Sequence, residues 1–97
     1  MEESESIQLG GGIQLSGFGD LDPGTLVIVK KIVGNFVKKL DNSSVKLHLT
    51  LKPVHKTEQS QKYEIMGRME VNNEVKRTEI VDFNLFFALN KVLNKLK

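Results

Sequence analysis

The chain has no cysteine and no tryptophan, a single tyrosine and only two prolines among its 97 residues. Without cysteine it forms no disulfide and runs no thiol chemistry, which fits a reducing compartment. No stretch approaches the roughly 18 to 20 uninterrupted apolar residues of a membrane-spanning helix. The first 24 residues hold no lysine or arginine, and the opening MEESES is acidic where an export signal would be basic and then apolar. The expected location is the cytoplasm, with no membrane partner.

What is present is enough for one packed domain: 97 residues leave too little chain for two independent cores. The formal net charge of +2 hides an asymmetry. Residues 1 to 24 carry Glu2, Glu3, Glu5, Asp20 and Asp22. The remainder therefore sets all 14 basic residues against seven of the 12 acidic ones, a balance of +7. A small body this basic attracts polyanions, of which nucleic acid is the commonest.

Residues 1–12, acidic and closing in Gly10-Gly11-Gly12, read as a flexible tail, and 13–97 as a single domain. Ile13 to Phe18 alternates as a strand does. Asp22 is a favoured helix cap and Pro23 suits a first turn. From there Val29, Ile32, Val33, Phe36, Val37 and Leu40 repeat at helical spacing, which predicts an amphipathic helix over 23–40. Gly34 inside it is expected to mark close packing. Asp41 to Ser44 ends the helix. Val45 to Leu51 alternates clearly and stops near Pro53, and polar residues 54–61 read as a loop. Tyr63 to Val71 and Glu74 to Ile80 form a hairpin about Asn72-Asn73. Asp82 to Lys97 reads as a last helix, with Phe83 and Phe87 widening its apolar face. The order β-α-β-β-β-α predicts an α+β two-layer sandwich, a four-stranded sheet with both helices on one face.

Catalytic chemistry is hard to find. Gly17-Phe18-Gly19 begins like a dinucleotide-binding loop, but the third glycine position holds Asp22, and Gly24-Thr25-Leu26 lacks the lysine of a phosphate loop. An acid at the helix start would also repel a phosphate. His48 and His55 lack zinc-ligand spacing. Glu64, Glu70, Glu74 and Glu79 lie in a hairpin where Lys62, Arg68, Lys76 and Arg77 offer cross-strand ion pairs, although a carboxylate dyad is the other arrangement. No catalytic residue, metal, cofactor or small-molecule substrate is expected, and the chain reads as a non-enzyme.

The candidate RNA-binding residues are basic: Lys30, Lys31 and Lys38 in the first helix, Lys46 and Lys52 on the following strand, Arg68 and Arg77 in the hairpin, Lys91 and Lys95 in the last helix. Such groups bind phosphates with affinity that falls steeply with salt. The alternative is a protein-interaction or assembly module, a homodimer among its forms, docking by an exposed sheet edge or by Phe83 and Phe87.

The last helix runs Ala88-Leu89-Asn90-Lys91-Val92-Leu93-Asn94-Lys95-Leu96, preceded by Asp82-Phe83, and the first ends Phe36-Val37-Lys38-Lys39-Leu40. With the strand Val45 to Leu51 and the QKYEI opening of the hairpin, this pattern resembles the ribosome hibernation-promoting factor and ribosome-associated inhibitor family of bacteria and plastids, over about residues 13–97. In that family the last helix commonly reads A-I-D-x-x-x-D-K-L. Here Asn90 and Asn94 stand where the acids would be. The resemblance implies the same β-α-β-β-β-α fold and a translation regulator that binds the small ribosomal subunit. It would occupy the path of mRNA and tRNA through Lys30, Lys31, Lys38, Lys91 and Lys95.

Overall fold

A computed structural model describes residues 6–9, 12–19, 21–40, 45–56 and 61–96, with the side chains of 6, 53–56 and 61 outside that description. The elements are β1 (Ser6–Gln8), β2 (Ile13–Ser16), α1 (Pro23–Leu40), β3 (Lys46–Lys56), β4 (Gln61–Val71), β5 (Glu74–Asp82) and α2 (Leu85–Leu96). They build an α+β fold with one mixed sheet in the order β1-β2-β3-β4-β5. β2 and β3 run parallel and every other pair is antiparallel.

The sheet has five strands rather than four. Residues 6–8, expected in the tail, pair antiparallel with β2, Ile7 opposite Leu15, and Ile7 and Leu9 pack against the core. Two apolar residues in an otherwise polar segment suffice once a neighbouring edge offers backbone partners. Residues 1–5, 10 and 11 lie outside the described residues, as do 41–44 and 57–60.

α1 begins as the sequence predicts. The Thr25 amide donates to the Asp22 carboxylate at 3.2 Å and the Leu26 amide to the Asp22 carbonyl at 2.9 Å, a capped start rather than a phosphate cradle. Gly34 does not mark close packing: a Cβ there would meet nothing within 4 Å. β3 runs past Pro53 to Lys56, with a register shift between the two that lets the ladder accommodate the missing amide. The hairpin turn falls at Asn72 and Asn73, with φ of 53° and 69°, the left-handed pair that suits a tight two-residue connection.

α2 starts later than its periodicity suggests. Asp82 remains in β5, and Asn84 caps the helix by accepting the Phe87 amide at 3.0 Å. Phe83 thus falls before the helix, and Phe87, two residues from both Leu85 and Leu89 at about 100° per residue, lies on the side opposite the core. Leu85, Ala88, Leu89, Val92, Leu93 and Leu96 are buried, whereas Phe83 and Phe87 are each 61% exposed.

Ile13, Leu15, Leu47, Leu49, Leu51, Ile65 and Met69 form one sheet face, joined in a single core to Val29, Val33 and Phe36 of α1 and to α2. No buried polar residue interrupts this core among the described residues. Gly67 admits α2 to the sheet: a Cβ there would stand 2.6 Å from Val92 Cγ1, 2.9 Å from Leu96 Cδ1 and 3.3 Å from Leu49 Cδ2. At Gly17 the reason is different. Its φ is 79°, and a Cβ would collide with the Leu51 carbonyl oxygen.

Replacing Gly67 by valine should therefore overpack the α2 contact. We expect a loss of about 1–3 kcal/mol in urea unfolding, or more if the backbone cannot shift. Gly34→Ala in α1 should instead gain up to roughly 1 kcal/mol.

Candidate nucleic-acid interface

The nine basic candidates do not converge. The alternation of the strands puts Lys46 and Lys52 of β3, Arg68 of β4 and Arg77 of β5 on the sheet face that no helix covers. Lys30, Lys31, Lys38, Lys91 and Lys95 belong to the helix layer on the opposite side. The two exteriors differ in charge pattern.

On the helix side, α1 contains Lys30, Lys31, Lys38 and Lys39 and α2 contains Lys91 and Lys95, and neither helix contains an acid. All but the half-buried Lys30 are exposed. The two helices touch, and each follows a strand of the same direction, so they return side by side. Along α1 the exposed stripe runs Val27, Lys31, Asn35, Lys38. Along α2 it runs Phe87, Lys91, Asn94 with Asn90 and Lys95 beside it. Each helix thus presents an apolar group, then alternating amide and ammonium groups, all but the first able to donate hydrogen bonds to an anion.

These lysines are not equivalent. Lys38, Lys39 and Lys95 stand in last turns, where a cation also answers the helix dipole. Lys91 is held by Asp82 at 2.7 Å, and this contact, with the Asn84 amide on the other Asp82 oxygen at 3.0 Å, keeps the Asp82 carboxyl below its ordinary range. Asn90 donates to the Phe86 carbonyl at 3.0 Å. Lys31 lies mid-helix on the exposed stripe, away from either terminus.

The open sheet face is mixed. One row across all five strands reads Gln8, Gln14, His48, Arg68, Arg77, each opposite the next. His48 is half-buried and shares a 2.8 Å hydrogen bond with the Ser16 hydroxyl. A shallow hollow lined in part by Gln8, Gln14, Lys46 and Arg68 lies over this row. The acids Glu64, Glu70 and Glu79 share the same face, and Met66, Val75 and Val81 are exposed on it.

At Arg77 and at Glu64 like-charge neighbours stand in place of the expected cross-strand ion pairs. Arg77 stands opposite Arg68 rather than opposite an acid, and Arg68 reaches Glu70 of its own strand at 3.7 Å. Glu64 hydrogen-bonds Glu79, and that contact, with a smaller effect of desolvation, raises the Glu64 carboxyl above its ordinary value, partly offset by Lys52. The two-residue turn at Asn72–Asn73 sets this register, and Arg68 opposite Arg77 follows from it. At the end of the same face the Lys62 ammonium lies 5.3 Å from the centre of the Phe83 ring.

Among the described residues no three potential metal ligands gather in one place, and no helix is long and apolar enough to cross a membrane. No protein-family model, no curated protein and no solved structure matches this chain.

The two shifted carboxyls give opposite pH signatures. Asp82, with its lowered value, contributes stability at neutral pH that is lost as pH falls through the acidic range. The thermal midpoint of Asp82→Asn should lie below that of the parent at pH 7 and converge with it in acid. Glu64, with its raised value, stabilises only while protonated and is unfavourable once ionised beside Glu79. Glu64→Gln should therefore raise the midpoint at pH 7, with the gain fading as pH falls through the range just above the ordinary glutamate value. Melting curves across pH measure both.

Proposed function

We propose that the protein is a non-enzymatic RNA-binding protein that docks on the small ribosomal subunit through its helix layer and blocks translation by occlusion. One observation carries this reading: six lysines on two adjacent helices that contain no acid, while Glu64, Glu70 and Glu79 of the hairpin lie on the other exterior. A surface on which six lysines face the carboxylate of Asp82, beside Lys91, suits a polyanion, and its contacts go to phosphates rather than to base edges. Asn35, Asn90 and Asn94 supply neutral donors within the same surface. The resemblance of both helices to those of ribosome hibernation factors points to the same layer and suggests the ribosomal target. Activity by occlusion needs no catalytic group.

Of the nine candidates, this reading keeps Lys30, Lys31, Lys38, Lys91 and Lys95, adds Lys39, and assigns Lys46, Lys52, Arg68 and Arg77 no direct part. The test is co-sedimentation with purified small ribosomal subunits across a salt series, with duplex RNA as competitor. Saturable binding that survives the competitor is expected. Lys31→Ala with Lys38→Ala should lower the slope of log affinity against log salt by about 2, roughly one per phosphate contact removed. Lys46→Ala with Lys52→Ala should leave that slope unchanged. Equal loss of both pairs would reduce the protein to a generic polyanion binder, and no binding at low salt would reject the reading.

A further inference from the structure

β5 ends the sheet, and among the described residues no strand pairs with its outer edge. The turn at Asn72–Asn73 joins Val71 to Glu74 as a hydrogen-bonded pair, and such pairs alternate along an antiparallel ladder. Counting from Glu74, the residues Lys76, Thr78 and Ile80 bond to β4. Val75, Arg77, Glu79 and Val81 then direct their amides and carbonyls outward, and their side chains lie on the open face. A charged edge strand ordinarily resists pairing. Here the outward set carries a cation and an anion two residues apart, flanked by a valine on either side at 46% and 51% exposure. Its order, apolar, plus, minus, apolar, is complementary to itself when reversed.

We propose that this edge takes a second copy of the same chain, antiparallel about Thr78, so that Arg77 meets Glu79 and Val75 meets Val81 across a two-fold axis. The register keeps every side chain on its own face, because residues opposite one another always differ by an even number about Thr78. Arg77 and Glu79 bond to each other's backbones as a hydrogen-bonded pair, and Thr78 faces its twin in a non-hydrogen-bonded one. Each copy currently holds a like-charge contact on either side of this point, Arg77 beside Arg68 and Glu79 beside Glu64. Pairing supplies the missing opposite charge to both. On the helix face Lys76 meets Ile80, and Glu74 meets Asp82, which Lys91 already neutralises. Phe83, exposed at the end of β5, comes to the Asn73 end of the other copy's turn.

This inference is independent of the RNA reading, since the helix lysines take no part in it. The test is sedimentation equilibrium on the full chain and its charge-reversed variants, with circular dichroism as the check on folding. The parent should form dimers. Arg77→Glu and Glu79→Arg each turn two symmetry-related attractions into repulsions, and each should weaken association on the order of tenfold or more. Mixed one to one, these two variants should associate with each other, and the double reversal Arg77→Glu/Glu79→Arg should dimerise like the parent. A parent that stays monomeric at ~1 mM overturns the proposal. So does a dimer unmoved by either single reversal, or a mixture of the two single variants that fails to associate.

Discussion

Leu49 lies between Leu15 of β2 and Gly67 of β4, and the space left by that glycine is filled by Val92 and Leu96 of α2. This one row fixes most of the molecule. It joins the parallel strand pair to the antiparallel meander, and it brings α2 close enough to bury an unbroken apolar stripe. The parallel step from β2 to β3 needs a crossover, and α1 supplies it on the same side. Burial on one face only is then a consequence of strand alternation, and among the described residues no layer covers the opposite face.

One-sided burial gives the protein two exteriors with separate charge patterns. The helices bury Val, Leu, Ala and Phe and expose Lys and Asn along with Val27, Ile28 and Phe87, with no acid in either. The sheet's outer face carries both signs, ordered by register rather than by local sequence. A polyanion is suited by the first surface, whereas the second has the alternation that one strand edge uses to recognise another. Summed over the chain these features give +2, a figure that describes neither surface.

The architecture was legible in the sequence because its signals are periodic. Leu47, Leu49 and Leu51 at period two, and Val29, Val33 and Phe36 at helical spacing, place the core without knowledge of any partner. The capping Asp22 and the Asn72–Asn73 turn were equally local. Three features were not. β1 is only three residues, too short for alternation to register, and is held by pairing with β2. The sequence reads Phe83 into the last helix, yet β5 continues to Asp82, and Asn84 resets where the helix begins. The approach of Glu64 to Glu79 runs diagonally across the ladder, past Met66 and Val81, and depends on side-chain conformation that strand alternation does not encode.

The 2.7 Å contact between Lys91 and Asp82 links the end of the edge strand to the helix layer. An anion that engages Lys91 competes with Asp82 for its charge, so this lysine contributes less to net affinity than its exposure suggests. The carboxylate it leaves behind loses the partner that chiefly lowers its proton affinity. Occupation of Lys91 therefore favours proton uptake at Asp82, and binding at the helices is coupled to the protonation state of the sheet's last residue as pH falls toward the ordinary aspartate range.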